Sequence, residues 1–341
     1  MLRLLILALA LTLFAGGNAA STGVCSEDTP SPFSSPPEGE RAGVRGKSAA
    51  LAGHRFDLKS GLDAQARTYG STRWRTGIAI YSCSRGALLY DLGANLPLSP
   101  ASNQKLLVTA CALEHWDSSL VRVLDARLDS TDLRAHVHRV NRKFVDSLGL
   151  NAWPDFPGYR HLVLADRESD NAEAEWMLDI LNRDHATDAS RLISSFLDQR
   201  GVVHPGLRVW DGCGLSHRNR TTAGTLAKLL VTVYESRWRD LFISTLAVPG
   251  RPGTRIKRNL NAGPHLAAKT GYIRDVFSLS GFLFGQTDTF AFSFIVNGCG
   301  SGTRAYDLFN SLLNTVYSWD AGETAVAPAA GCMPGSDAKQ N

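Results

Sequence analysis

Apolar positions change their period several times along this chain, and each change marks a different element. Leu106, Leu107, Ala110 and Leu113 recur at three- and four-residue intervals, which predicts a strong helix over 102–113 because an α-helix returns to one face every 3.6 residues. Two short apolar segments, 77–82 and 87–92, flank Ser84-Arg85-Gly86 and predict paired strands with a turn between them. The strand pattern returns only near the C-terminus, over 276–284 and 289–296. Helical periods fill the space between, at about 132–148, 172–183, 188–200 and 221–235, with further helices at 56–69 and 304–317. Strands from both ends with helices between them predict an α/β (α+β) architecture, a sheet assembled from distant segments plus a helical lobe.

The ends of the chain follow other rules. Arg3 precedes an apolar run from Leu4 to Phe14, and small residues around Gly17-Asn18-Ala19 follow, the layout of a secretory signal over 1–20. That run is short for a bilayer span. The expectation is cleavage, leaving a secreted, periplasmic or extracytoplasmic protein without a stable membrane span; an uncleaved anchor is the alternative. Residues 21–54 are rich in Pro, Ser, Gly and Glu, as in Pro36-Pro37-Glu38-Gly39-Glu40, and predict a flexible leader because they bury too little apolar surface to fold. The folded unit is expected over 55–320 and a loosely ordered Ala-, Gly- and Pro-rich tail over 321–341.

Composition narrows the class. With 44% hydrophobic residues among 341, the chain has apolar surface for one large core or two modest ones. A net charge of +4, spread without a polybasic tract, argues against a nucleic-acid partner. Six cysteines fit an oxidising compartment. None lies in a CxxC or beside histidines at zinc-site spacing, so neither a metal nor another cofactor is expected. Cys111, inside the 102–113 helix, reads as a buried thiol.

Three short motifs carry the candidate chemistry: Ser102-Asn103-Gln104-Lys105, Ser169-Asp170-Asn171 and Lys269-Thr270-Gly271. Singly each arises by chance, and each has an ordinary reading as a capped helix start, a polar turn or an entry to a strand. Together they offer more. Ser102 would open a helix, where free N–H groups favour developing negative charge, and Lys105 three residues on would share its face. A serine hydroxyl needs a base before it attacks, and a desolvated lysine is one. Ser169 and Asn171 offer a proton relay and an amide contact. Lys269 offers charge for a carboxylate, and a strand edge at Thr270 and Gly271 can pair with an extended peptide.

In this order the motifs match the set used by penicillin-binding proteins and serine β-lactamases. The surrounding residues resemble one branch, the D-alanyl-D-alanine carboxypeptidase/endopeptidases of the penicillin-binding protein 4 type, a low-molecular-mass class C group. Pro100-Ala101-Ser102-Asn103-Gln104-Lys105-Leu106-Leu107, Ala174-Glu175, Asp211-Gly212-Cys213-Gly214-Leu215-Ser216, Gly253-Thr254 and Leu279-Ser280-Gly281 carry the resemblance across most of 76–318. It implies the serine β-lactamase/DD-peptidase (transpeptidase-like) fold, a mainly antiparallel sheet flanked by helices with a helical lobe. It implies Ser102 as nucleophile, Lys105 as base, Ser169, Asn171 and Lys269 as further catalytic residues, and Thr270, Gly271 and Tyr272 as substrate-binding residues. It also implies peptidoglycan stem peptides as substrates and β-lactams as covalent inhibitors.

Departures from the family are as informative. The segment between Ser102 and Ser169 leaves room for the helical lobe and little else, where typical members carry large inserted domains. Cys213 stands where the family has serine, and Tyr272 where many members have a threonine that helps hold the substrate carboxylate. The Tyr272 backbone N–H remains available for an oxyanion hole with that of Ser102. Arg274 is either a substitute carboxylate contact or a surface arginine. Two other readings stand beside the peptidase: a serine β-lactamase or other acyl hydrolase, for which Glu168, Glu173 and Glu175 lie near the second motif, and a non-catalytic module that binds wall peptides.

Overall fold

The computed structural model describes residues 56–115, 158–185, 188–249 and 265–322. The signal and leader expected over 1–54, the helix expected at 132–148, Gly253-Thr254 and nearly all of the tail lie outside these residues. Among the described residues no helix is long and apolar enough to cross a membrane.

Five strands, β1 (Arg75–Ser82), β2 (Ala87–Leu92), β3 (Leu266–Ile273), β4 (Val276–Phe284) and β5 (Thr289–Asn297), form one antiparallel sheet in the order β2-β1-β5-β4-β3. The helices are α1 (Leu58–Tyr69), α2 (Gln104–His115), α3 (Tyr159–Asp166), α4 (Asn171–His185), α5 (Ala189–Gln199), α6 (Ala223–Glu235), α7 (Arg239–Thr245) and α8 (Gly302–Asp320). N- and C-terminal segments thus meet in one sheet, as the pattern predicts. The helix expected from residue 102 is preceded by a 3-10 turn over Ala101–Asn103. Three elements escape the pattern reading: β3, α3 and α7. The β3 sequence mixes Lys, Gly and Ala, poor strand formers, and the two helices are too short to show a period.

Strand alternation divides the molecule into two cores. On β5, Phe290, Phe292, Phe294 and Val296 pack with Leu308, Phe309 and Leu312 of α8 and Leu62 of α1. The intervening Ala291 and Ile295 pack with the helical lobe, including Leu107 of α2 and Leu229 of α6. Helix starts in the lobe are capped by the residues that begin them: Asp170 accepts from Glu173 N at 3.0 Å, Asp188 from Arg191 N at 3.0 Å and Thr222 from Thr225 N at 3.0 Å. Cys83, Cys111, Cys213 and Cys299 are separate buried thiols, so the described cysteines act as small core residues rather than cross-links, and Cys111 is the buried thiol expected.

Candidate active site

The three motifs converge between the sheet and the helical lobe. Ala101, with φ 48°, turns the chain sharply and presents Ser102 at the second position of the 3-10 turn, ahead of α2. Ser169, with φ 58°, makes the corresponding turn between α3 and α4, and Asp170 caps α4. Non-glycine residues in this left-handed region are uncommon and need surrounding structure to hold them there. The close approach of two glycines provides it. A side chain on Gly214 would lie 1.9 Å from the Ala101 carbonyl oxygen, and one on Gly271 would lie 3.0 Å from Ser102 N and 2.2 Å from Ser278 Oγ. Both backbones pass against the Ser102 turn because neither residue carries a Cβ.

Lys105 is fully buried, and its ammonium has three acceptors: Ser102 Oγ at 3.1 Å, Asn171 Oδ1 at 2.9 Å and the Cys213 carbonyl at 2.6 Å. Burial lowers its pKa from 10.5, opposed by the carboxylates of Asp166, Asp211 and Glu175. The Cys213 thiol, pushed up to about 12 chiefly by burial, stays protonated and gives Lys105 no negative charge. An amine so placed holds the serine hydroxyl and reaches its neutral form more readily than a solvated lysine. Lys269 is also buried, and donates to Ser169 Oγ at 2.9 Å and to the Thr270 carbonyl at 2.8 Å. Ser102 with Lys105 and Ser169 with Lys269 therefore form two lysine–serine pairs, and Asn171 joins the first of them through Lys105.

The third motif lies within a strand, not at the entry to one, and that strand is the sheet edge. Ala268 exchanges hydrogen bonds with Ala247 through both its N–H (2.9 Å) and its carbonyl (3.2 Å). The backbone groups of Ala268 therefore point away from β4, and by strand alternation so do those of Thr270 and Tyr272. The Tyr272 N–H faces the open edge, one residue after Gly271, whose backbone passes against Ser102 N, and so is available to an oxyanion hole. Its ring turns the other way, 64% exposed and 5.0 Å from the Phe277 ring. Arg274 is a surface arginine, its side chain 91% exposed and 3.8 Å from Asp275.

Several residues hold this arrangement without belonging to the short motifs. Glu175 accepts from the backbone of Gly212 (3.0 Å) and Cys213 (2.8 Å), and Asp211 from that of Gly214 (2.7 Å) and Ser216 (2.6 Å). These bonds order the loop that brings the Cys213 carbonyl to Lys105. The contribution is made by backbone, so cysteine serves in place of serine. Glu175, Asp211 and the Cys213 thiol lie within 4.8 Å of one another, but their carboxylates already accept from amides. On the other side, Ser278 Oγ donates to the Pro100 carbonyl at 2.6 Å, and Ser280 Oγ and Ser293 Oγ are hydrogen-bonded at 2.8 Å. The Asn103 amide bridges the Lys269 carbonyl (2.8 Å) and Ser280 Oγ (2.7 Å). Asp166, buried behind both lysines, accepts from Thr109 Oγ1 (3.2 Å) and Thr245 Oγ1 (2.9 Å), and burial raises its pKa. Ser278 and Ser280, polar positions alternating within the apolar β4 segment, are the pattern from which this inner support could have been found. Asp166 offered none, because its neighbours are distant in the chain.

Comparison with known proteins agrees with this geometry. Residues 160–311 match the model of the D-Ala-D-Ala carboxypeptidase 3 (S13) family. A curated D-alanyl-D-alanine carboxypeptidase of Actinomadura sp. (strain R39) is 31% identical over 142 residues, 38% of this chain and 26% of the relative. The chain thus spans about a quarter of that relative's length. Among solved structures, penicillin binding protein 4 from Haemophilus influenzae superposes with a TM-score of 0.57 at 13% identity, covering 75% of this chain and 99% of the other. A class A β-lactamase from Bacteroides cellulosilyticus superposes at 0.52 with 12% identity, covering 77% and 98%. The fold is that of the serine β-lactamases and DD-peptidases, and the resemblance read from the motifs holds.

Proposed function

We propose that this chain, a relative of the D-Ala-D-Ala carboxypeptidase 3 (S13) peptidases, is a serine D-alanyl-D-alanine peptidase acting outside the cytoplasm on peptidoglycan stem peptides. The observation that carries the reading is the buried amine of Lys105 against the Ser102 hydroxyl, 3.1 Å away. In its neutral form Lys105 takes the Ser102 proton, and Ser102 Oγ attacks the carbonyl between the two D-alanines. The peptide lies along the open edge of β3, and the amides of Ser102 and Tyr272 hold the oxyanion. As the C–N bond breaks, Ser169, hydrogen-bonded to Lys269, delivers a proton to the departing amine. Water then hydrolyses the acyl-enzyme. Endopeptidase cleavage uses the same steps with a different leaving amine, and β-lactams acylate the same hydroxyl.

One feature favours a peptidase over a β-lactamase, and another favours it over a binding module. Of the three glutamates near the second motif, Glu175 is engaged in holding backbone amides, and Glu173 pairs with His161 Nδ1 at 2.6 Å. A binding module without chemistry would not need two buried lysines, each costly to desolvate. The test is release of D-alanine from a stem pentapeptide ending in D-alanyl-D-alanine, measured beside nitrocefin hydrolysis. Steady D-alanine release with slow nitrocefin turnover is expected. Rapid nitrocefin turnover without D-alanine release would replace the peptidase with a β-lactamase.

A further inference from the structure

A separate concentration of charge lies on the arms flanking the 211–216 loop. Arg208 and Arg220 exchange backbone hydrogen bonds at 2.9 Å in both directions, and Ser190, at the start of α5, clasps Val209 through its N–H (3.1 Å) and carbonyl (3.2 Å). These arms line a pocket of about 410 Å³, into which Arg208, Arg218 and Arg220 converge with His217 and Trp210. None of the three arginines makes an ion pair among the described residues.

The pocket wall is held in place. The Arg218 guanidinium sits 3.3 Å from the centre of the Trp210 ring. Arg220 donates to the carbonyls of His217 and Asn219, the latter at 2.7 Å. Trp210 N donates to Asn219 Oδ1 at 2.7 Å. The carboxylate of Asp211, next in sequence to Trp210, is engaged by Gly214 N, Ser216 N and Asn219 Nδ2 at 2.7, 2.6 and 2.7 Å, so it does not neutralise the arginines by an ion pair. Three guanidiniums without an acid partner raise the local potential for an anion, and their planar donors match the oxygens of a carboxylate or phosphate. Trp210, 59% exposed, adds a flat apolar wall.

We propose that this pocket is an oxyanion-binding site, taking a phosphate or carboxylate group joined to an apolar or planar moiety. Ser102, Lys105, Ser169, Asn171 and Lys269 do not line it, so the inference stands independently of the peptidase reading. Asn219 frames the pocket through Trp210 and also bonds Asp211, which joins the site to the loop that meets Lys105.

Tryptophan fluorescence of the full chain, titrated at constant ionic strength with inorganic phosphate, phenyl phosphate and N-acetylglutamate, tests this. At least one probe is expected to give a saturable change, weakened tenfold or more in an R208Q/R218Q double variant. A W210F variant loses the fluorescence change while the probe still raises its thermal midpoint. Arg208 and Arg218 are exposed, so their replacement leaves the fold in place. Saturation by the phosphates or by N-acetylglutamate identifies which anion the pocket takes. No saturable response to any probe, or one unchanged in R208Q/R218Q, overturns the proposal, and penicillin labelling of the same samples reports separately on Ser102.

Discussion

Strands β4 and β5 present two faces that differ in kind. Toward α1 and α8 they carry Phe277, Leu279, Phe290, Phe292 and Phe294, and the Phe294 ring packs 5.6 Å from Phe309. Toward the cleft, one residue out of step, they carry the buried hydroxyls of Ser278, Ser280 and Ser293, joined to Pro100 and Asn103. The first face stabilises through buried apolar area and close packing, without depending on any one directional bond. The second depends on each buried donor finding its acceptor, since an unmatched group there costs about 1–3 kcal/mol. One sheet thus supplies rigidity on one side and fixes the Ser102 turn on the other.

The contrast is sharpest if it is broken on the cleft side. Lys105→Met keeps side-chain volume and removes the base, so acylation by a chromogenic β-lactam is expected to slow by about a hundredfold to ten-thousandfold. Circular dichroism of the variant should remain that of the parent. Phe292→Ala tests the other face. It should cost about 3–5 kcal/mol in denaturant unfolding while the acylation rate, measured well below the melting temperature, changes little. A variant that lost stability and chemistry together would join the two faces more tightly than the hydrogen bonds require.

A smaller effect should appear in the pH profile. Lys105 acts as the neutral amine, so protonation removes the base and acylation falls as pH drops through its pKa. Burial lowers that pKa from 10.5, so the rate should rise with pH along a limb whose midpoint lies below 10.5. A midpoint at or above it would place another group in the role. The smallest change is expected from Cys213→Ser. The residue serves Lys105 through its carbonyl, so the acylation rate should stay within about fivefold, or about 1 kcal/mol. A larger loss would give the thiol itself a part in the site.

Much of this was legible in the chain. The N- and C-terminal strand patterns give four of the sheet's five strands, and Ser102, Lys105, Ser169, Asn171 and Lys269 could be chosen from motif order alone. The supports could not. Asn103 looks like an ordinary polar position until Ser280 and the Lys269 carbonyl surround it, and Asp166 is buried by Thr109 and Thr245 from distant helices. β3 was hidden because its Lys and Gly serve the site rather than strand propensity. Ser169-Asp170-Asn171 illustrates both readings at once: Asp170 caps α4 as a polar helix start should, while its two neighbours meet the lysines.

The central claim is that Ser102 is a nucleophile activated by Lys105. It is tested most directly by labelling the purified protein with a fluorescent penicillin beside its Ser102→Ala variant. A stable covalent band in the parent and none in the variant is the predicted result. Equal labelling of both, or a labelled peptide that does not contain Ser102, would contradict it.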